Sequence, residues 1–149
     1  HGASQKVGQS AAPLFLDRID IQCEITPVPF KDISKAAPGE PSANIRERVI
    51  KAREIQAARY KDYKGIHCNA QMTERMIHQF AEPNEAGIDM LRMAMEKLSL
   101  SARAYSRILK VARTIADLEG CEHVELHHLA EAIGYRALDR GDWAERGHI

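Results

Sequence analysis

Several features that would place this chain in a compartment or assign it a chemistry are missing from its sequence. The 149 residues include only three cysteines, Cys23, Cys68 and Cys121, and no CxxC pair. An odd number of widely spaced cysteines argues against a disulfide scaffold and favours a reducing, cytoplasmic compartment. No apolar run approaches the ~18 residues that span a bilayer, and no signal peptide is recognisable, so we expect no membrane partner.

The composition also lacks an excess of either charge. The chain has 21 basic and 21 acidic residues, so its net charge gives no general argument for binding to nucleic acid or to a membrane. Aromatic residues make up only 5%, although 44% of the residues are hydrophobic. A core is therefore possible, but it must be built mainly from aliphatic side chains, methionine and alanine.

The common signatures of a catalytic site are absent. The sequence contains no GxxxxGK[ST], GxGxxG, HExxH or GxSxG motif. The lack of a glycine-rich loop is the most informative of these, because glycine lets backbone N–H groups surround a phosphate. We therefore expect no complete catalytic site in this chain, which favours a role as one part of a larger machine.

Two groups of side chains could nevertheless carry chemistry. Cys121, His123, His127 and His128 lie close in sequence, but no second pair of ligands completes a metal site. A solvated helix start is the better interpretation, and we predict no metal. Cys68 directly follows a histidine, but adjacent side chains rarely meet as nucleophile and base, which favours a structural cysteine.

The start of the chain is predicted to be extended. Residues 1–12 are expected to be an expression-tag or cloning remnant. Residues 14–28 read as an extended segment, because apolar and polar side chains alternate with a period of two from residue 19 to residue 26, which is typical of a half-buried strand. No second strand is recognisable as a partner for it. Residues 27–41 are rich in proline and are predicted to be a linker.

The rest of the chain predicts an all-α fold, a bundle of five helices with short connections. Capping residues and helix breakers set the expected bounds at Ser42–Gly65, Thr73–Phe80, Asn84–Leu98, Ser101–Gly120 and Val124–Leu138. The first helix should bury one stripe, formed by Ile45, Val49, Ala52, Ala57 and Tyr60. The helical domain would span residues 42–143, with Trp143 in a tail that folds back and residues 144–149 beyond it.

Arginines are the most informative charged residues. The first helix has a local excess of basic side chains, but a solvated face with i,i+4 ion pairs explains it better than phosphate binding does. Arg103 and Arg107 lie in the first two turns of the fourth helix, which is already electropositive. Cations in that position suggest an anionic ligand such as a nucleotide phosphate, although a surface salt bridge is the stronger alternative.

The fourth predicted helix resembles part of a known family. Residues 100–118, LSARAYSRILKVARTIADL, are similar to the C-terminal lid domain of magnesium-chelatase-like AAA+ ATPases of the ComM/YifB family. The resemblance covers about residues 13–143. Supporting stretches are residues 15–20, 44–49, 68–72, 128–133, 135–136, 138–140 and 143.

The resemblance implies roles that spacing alone does not give. Arg18 matches the arginine finger, which would reach the γ-phosphate bound by a neighbouring subunit, and Arg103 matches the sensor-2 arginine, acting on its own or the next subunit. Arg107 is a weaker candidate for contact with the nucleotide. ATP and Mg²⁺ would bind to the full-length protein through an upstream core, and none to this fragment, which should not hydrolyse ATP alone. Residues 13–41 would be the edge of that core and its linker, poorly ordered in isolation.

Three functions remain open. The resemblance implies a DNA motor or helicase that acts in natural transformation, in a ring that is expected to be a hexamer. An accessory ATPase for magnesium insertion is the second. A non-enzymatic helical adaptor that binds nucleic acid through the basic first helix is the third.

Overall fold

The computed structural model describes residues 17–136, whose regular structure is entirely helical. The elements are α1 Phe30–Ile33, α2 Ser42–Tyr60, a 3₁₀ turn Asn69–Gln71, α3 Glu74–Phe80, α4 Glu85–Leu98, α5 Ala102–Glu119 and α6 Leu126–Gly134. The predicted all-α class is confirmed: all five expected helices are present, and the short α1 adds a turn within the linker. None of the helices in this part of the chain is both long and apolar enough to cross a membrane.

Side-chain caps fix where most of these helices begin. The oxygens of Thr73, Asn84 and Ser101 accept hydrogen bonds from the N–H groups of Met76, Gly87 and Ala104. Each bond satisfies a donor that the first turn of a helix leaves without a partner. Gly120, with a φ of 75°, ends α5 in the left-handed region that glycine adopts at low cost. These three caps and this stop confirm the sequence prediction.

Three predicted boundaries were wrong. Ser42 is the first helical residue and not the cap, because the carbonyl of Pro41 already accepts from the N–H groups at 44 and 45. Helix α2 ends at Tyr60 instead of Gly65, since the Tyr60 carbonyl turns to the N–H of Tyr63. Helix α6 begins at Leu126 behind a Glu125 cap, two residues after the predicted start.

The predicted strand was also wrong within the described residues. Residues 17–28 contain no strand, and the N–H of Gln22 donates instead to the carbonyl of Tyr135 at 2.9 Å. A strand needs a neighbour that offers a ladder of donors and acceptors, and helices cannot do so. Residues 1–16 and 137–149, including Trp143 and the predicted end of the last helix, lie outside the described residues.

Helix α5 is the centre of the core. Its side chains Ile108, Leu109, Ala112 and Ala116 are at most 1% exposed. Helices α2, α3 and α6 pack around it, and α6 also contacts α4. These apolar side chains of α5 therefore form the axis of the bundle.

Only the second half of α2 joins this core. Ala52 and Tyr60 are buried as predicted, but Ile45 and Val49 are 44% and 43% exposed. The predicted stripe was thus wrong at Ala57, which is exposed, and at its first two positions, Ile45 and Val49. Both residues line a groove beside α5 instead of filling the core, because the first half of α2 extends past the packed helices.

A buried carboxylate ties α2, the 3₁₀ turn and α5 together. Asp117 on α5 accepts from both terminal nitrogens of Arg59 on α2, at 2.5 and 2.8 Å. The side-chain amide of Asn69, in the 3₁₀ turn, donates to the same carboxylate at 2.9 Å. Asn69 is itself held by the Tyr60 hydroxyl and by the side chain of Gln56. The network thereby satisfies polar groups that would be costly to bury alone.

Arg113, one turn before Asp117 on α5, also belongs to this network. Its guanidinium lies 3.1 Å from Asp117 and donates to the carbonyls of Phe80, Cys121 and Glu122. Burial lowers the pKa of Arg113, and the charge of Asp117 opposes that effect. Burial acts on Arg59 in the same way, but there the hydrogen bonds and charge of Asp117 outweigh it, so the pKa is raised. Each arginine remains charged, and one anion serves both.

We predict that Asp117→Ala lowers the free energy of unfolding by about 3–5 kcal/mol, because it leaves the buried guanidinium of Arg113 and the largely buried one of Arg59 without their anion. Urea denaturation monitored by circular dichroism measures the change. Asp89→Ala is the control, since Asp89 pairs with Arg92 on the exposed face of α4 and should cost less than about 1 kcal/mol. Equal losses in the two variants would contradict the role given to Asp117.

Candidate functional site

The start of α5 carries the first candidate arginine. Ser101 caps the helix, and Arg103 follows in the first turn with an exposed side chain. The side chain of Arg103 forms no hydrogen bond or ion pair with any residue between 17 and 136. It lines an open groove of about 1340 Å³ that runs along α5. The sequence argument that a cation here suits an anionic ligand therefore applies to an accessible guanidinium.

The N-terminal segment 17–22 is anchored at the same helix end. Both carboxylate oxygens of Asp17 accept from the Ser101 hydroxyl, at 2.8 and 2.9 Å. Arg18 follows Asp17 directly, is exposed, and forms no ion pair with any described residue. Arg18 is not among the residues that line the groove, whereas Arg103 is. The structure thus joins the side chain of Asp17, which precedes Arg18, to the cap two residues before Arg103.

Arg107, the third candidate, is in a different environment. Its guanidinium forms an ion pair with Asp20 of the N-terminal segment, with 2.5 Å between nitrogen and oxygen. The side chain is 28% exposed and lines the same groove. For this residue the structure contains the salt bridge that the sequence offered as an alternative. A phosphate at Arg107 would have to displace or share the Asp20 carboxylate.

Sequence reasoning did not assign a role to Arg136. Its side chain is completely buried, and its terminal nitrogens donate to the carbonyls of Ile19 at 2.6 Å and Asp17 at 3.3 Å. One nitrogen also lies 3.6 Å from the Asp17 carboxylate. An arginine just after a helix is usually interpreted as a solvent-exposed cation that interacts favourably with the negative end of the helix dipole. No pattern in a single sequence shows that its partners lie more than 100 residues away.

Three of the five basic residues of α2 form ion pairs with described residues. Arg48 pairs with Glu40, Lys51 with Glu47 one turn earlier at 3.3 Å, and Arg59 with Asp117. The Arg48 guanidinium lowers the pKa of Glu40 through its hydrogen bond. Only the Lys51 pair is an i,i+4 pair of the kind that the sequence interpretation expected, because Arg48 pairs with the linker and Arg59 with a buried carboxylate. All three pairs reduce the charge available for nucleic acid.

Histidines at the start of α6 form a hydrogen-bonded cluster with Glu119. Atoms of Glu119, Cys121 and His128 that could bind a metal lie within 4.8 Å of one another. However, Nδ1 of His128 accepts from the N–H of Glu125 at 2.9 Å, so a neutral ring carries its proton on Nε2. That nitrogen lies 2.6 Å from Glu119, to which it donates. It has no lone pair to offer a metal, so the cluster serves the helix start.

Known proteins resemble this chain over most of its length. The family model described as magnesium chelatase, subunit ChlI C-terminal, matches residues 39–136. The competence protein ComM of Haemophilus influenzae is 43% identical over 127 residues, 85% of this chain and 24% of that protein. The YifB proteins of Salmonella typhimurium and Escherichia coli are each 41% identical over the same shares. The chain therefore spans about a quarter of the length of these curated relatives.

The Glu119 cluster predicts an acid-dependent contribution to stability. Hydrogen bonds from His127 and then His128 hold the pKa of Glu119 below its usual value of 4.5. A carboxyl whose pKa is lowered by folding contributes stability that is complete above its unfolded pKa and lost as the pH falls through its folded pKa. Unfolding free energies measured across the acidic range should therefore fall less steeply in Glu119→Gln than in the unsubstituted chain. Glu54→Gln, at an exposed α2 residue that has no described ion-pair partner, should leave the profile unchanged. Identical profiles for all three proteins would refute the prediction.

Proposed function

The chain belongs to the family of magnesium chelatase ChlI C-terminal domains, and on that premise we propose that it is the helical lid of a ring-forming AAA+ ATPase. One observation carries the proposal. The segment that bears Arg18 is bonded through Asp17 to Ser101, the cap of the helix that bears Arg103. The residue before Arg18 is thus hydrogen-bonded to the start of the helix that bears Arg103.

The two arginines suit the charge that develops in phosphoryl transfer. An exposed guanidinium such as Arg18 can donate two parallel hydrogen bonds to the oxygens of a transferring phosphoryl group. Arg103 offers the same chemistry at an electropositive helix start, where the backbone dipoles add to its charge. Arg107 contributes less in this proposal, since Asp20 already compensates its charge.

ATP and Mg²⁺ fit this chain only in part. Arg18 and Arg103 could bind phosphate oxygens, but the sequence has no glycine-rich loop that would surround the phosphates. In our proposal an upstream core, in the longer protein, holds the nucleotide and the metal ion. That core and the neighbouring subunits of a ring, which we propose to be a hexamer, are the partners of the lid. The bound nucleotide supplies the phosphoryl group, and this chain supplies arginines to it.

A second question is what the ATPase acts on. Similarity to a competence protein favours a DNA motor in the cytoplasm, and the description of the family favours an accessory ATPase for magnesium insertion. Unwinding of forked DNA by the full-length protein, with ATP hydrolysis, would support the motor. The adaptor alternative would instead be supported by tight, salt-sensitive DNA binding of this chain alone, through the α2 cations that have no described partner.

We predict that Arg18→Ala lowers the kcat of ATP hydrolysis by the full-length protein about 10³-fold or more, because an arginine finger stabilises the transferring phosphoryl group. Arg103→Ala should also lower kcat. Steady-state release of phosphate measures both. Arg92→Ala, on the exposed face of α4, is the control and should keep the full rate. Full activity in both Arg18→Ala and Arg103→Ala would refute the two arginine assignments.

Mixed rings test whether Arg18 acts on the next subunit. Arg18→Ala subunits are combined with subunits in which the phosphate-loop lysine of the core is replaced, each inactive alone. If Arg18 acts across the interface, some interfaces in the mixture join an intact phosphate loop to an intact Arg18, and hydrolysis returns. No recovery over the full range of mixing ratios would place Arg18 within its own subunit. The same mixture with Arg103→Ala would settle on which subunit Arg103 acts.

A further inference from the structure

We propose that Arg136 is a positioning residue for Arg18, holding the backbone on both sides of that residue. The clamp itself is the set of hydrogen bonds from Arg136 to the N-terminal segment. Its catalytic consequence rests on the proposed function, because Arg18 must first be an arginine finger. Arg136 does not touch the nucleotide in this proposal.

The hydrogen bonds of Arg136 bracket Arg18. The carbonyl of Asp17 belongs to the peptide bond that joins residues 17 and 18, and Arg136 donates to it at 3.3 Å. The carbonyl of Ile19 belongs to the next peptide bond but one, and Arg136 donates to it at 2.6 Å. With both carbonyls held, the backbone torsions at Arg18 have little freedom. The direction in which the Arg18 side chain points is then set by Arg136, just after the end of α6.

Arginine is suited to this task and lysine is not. A guanidinium carries its donors in a rigid planar fork, so that one group can hold two carbonyls in a fixed relation. The side chain of Arg136 is fully buried, where an unpaired cation would be very unfavourable. The carboxylate of Asp17, 3.6 Å from the guanidinium, supplies a compensating charge. Opening the clamp would remove partners from a charge that solvent cannot reach.

The other contacts of segment 17–22 are more exposed. The side chain of Asp20, which pairs with Arg107, is 50% exposed, and solvent weakens an ion pair of this kind. The backbone bond from Gln22 to Tyr135 lies beside the clamp and extends the same contact. Arg136 is therefore the anchor whose loss should free Arg18 most.

Limited proteolysis tests the clamp without any activity. Trypsin cleaves after arginine and lysine, and a held peptide bond is cut only when the segment opens. We expect Arg136→Gln to speed cleavage after Arg18 by roughly tenfold or more in this chain. Cleavage after the exposed Lys35 in the linker is the internal control and should keep its rate. Arg107→Gln, which removes only the exposed ion pair to Asp20, should have a smaller effect.

Kinetics of the full-length protein test the consequence. Arg136→Gln should lower kcat for ATP hydrolysis and leave KM unchanged, because the nucleotide-binding core is intact. Combined with Arg18→Ala, it should lower kcat no further than Arg18→Ala does, since two residues that act as one unit are not additive. Arg136→Lys can hold only one carbonyl well and should recover part of the rate. A merely structural role predicts an additive double variant.

The outcomes separate the clamp from the function. Unchanged cleavage after Arg18 in Arg136→Gln, or in Arg136→Lys if the first variant does not fold, would overturn the clamp. Faster cleavage with full ATPase activity, while Arg18→Ala is inactive, would overturn the positioning role and leave the proposed function standing. Full activity of Arg18→Ala would overturn the proposed function and the positioning role together, and the cleavage rates would still report on the clamp.

Discussion

The sharing of one buried carboxylate by two arginines is the interaction on which the rest of the structure depends. Asp117 neutralises Arg59 from α2 and Arg113 from its own helix, and the 3₁₀ turn joins through Asn69. Apolar packing alone would let α2 slide along α5, because aliphatic contacts have little directional preference. A buried charge is stable only where an opposite charge is close to it, so the pairing of Asp117 with Arg59 fixes α2 against α5, the helix that carries Arg103.

The sequence predicted the class of this fold well, since its helices are marked by local chemistry. Caps at Thr73, Asn84 and Ser101 and the stop at Gly120 act within one turn, so a single sequence displays them. The exposure of Ile45 and Val49 could not be seen in this way. Periodicity shows which side chains share a face of a helix, and it does not show how much of that face a neighbour covers. The alternating pattern in residues 19–26 predicted a strand that is absent for a similar reason, because a strand forms only beside a partner strand.

The candidate site likewise contains residues that the sequence could identify and residues that it could not. Arg103 stood out from the residues themselves, as a cation placed just after a helix cap, and the structure leaves it accessible. Arg18 was found only through the family resemblance, because nothing in its local sequence distinguishes it from a surface arginine. The partners of Arg107 and Arg136 lie 87 and more than 100 residues away, at Asp20 and in segment 17–22. Contacts of such separation depend on the whole fold and leave no spacing rule for a reader of one sequence.

The contact between segment 17–22 and residues 135–136 also brings the two ends of the described chain together through hydrogen bonds. The location of Arg18 is then dictated by the far end of the helical domain and not by the proline-rich stretch that precedes α2. Residues 23–41 become a surface segment between the fixed residues 17–22 and α2, and the entropic cost of lengthening such a segment grows only slowly. Members of the family could gain or lose residues in this segment without moving the arginine, provided that the arginine at the end of the last helix is kept.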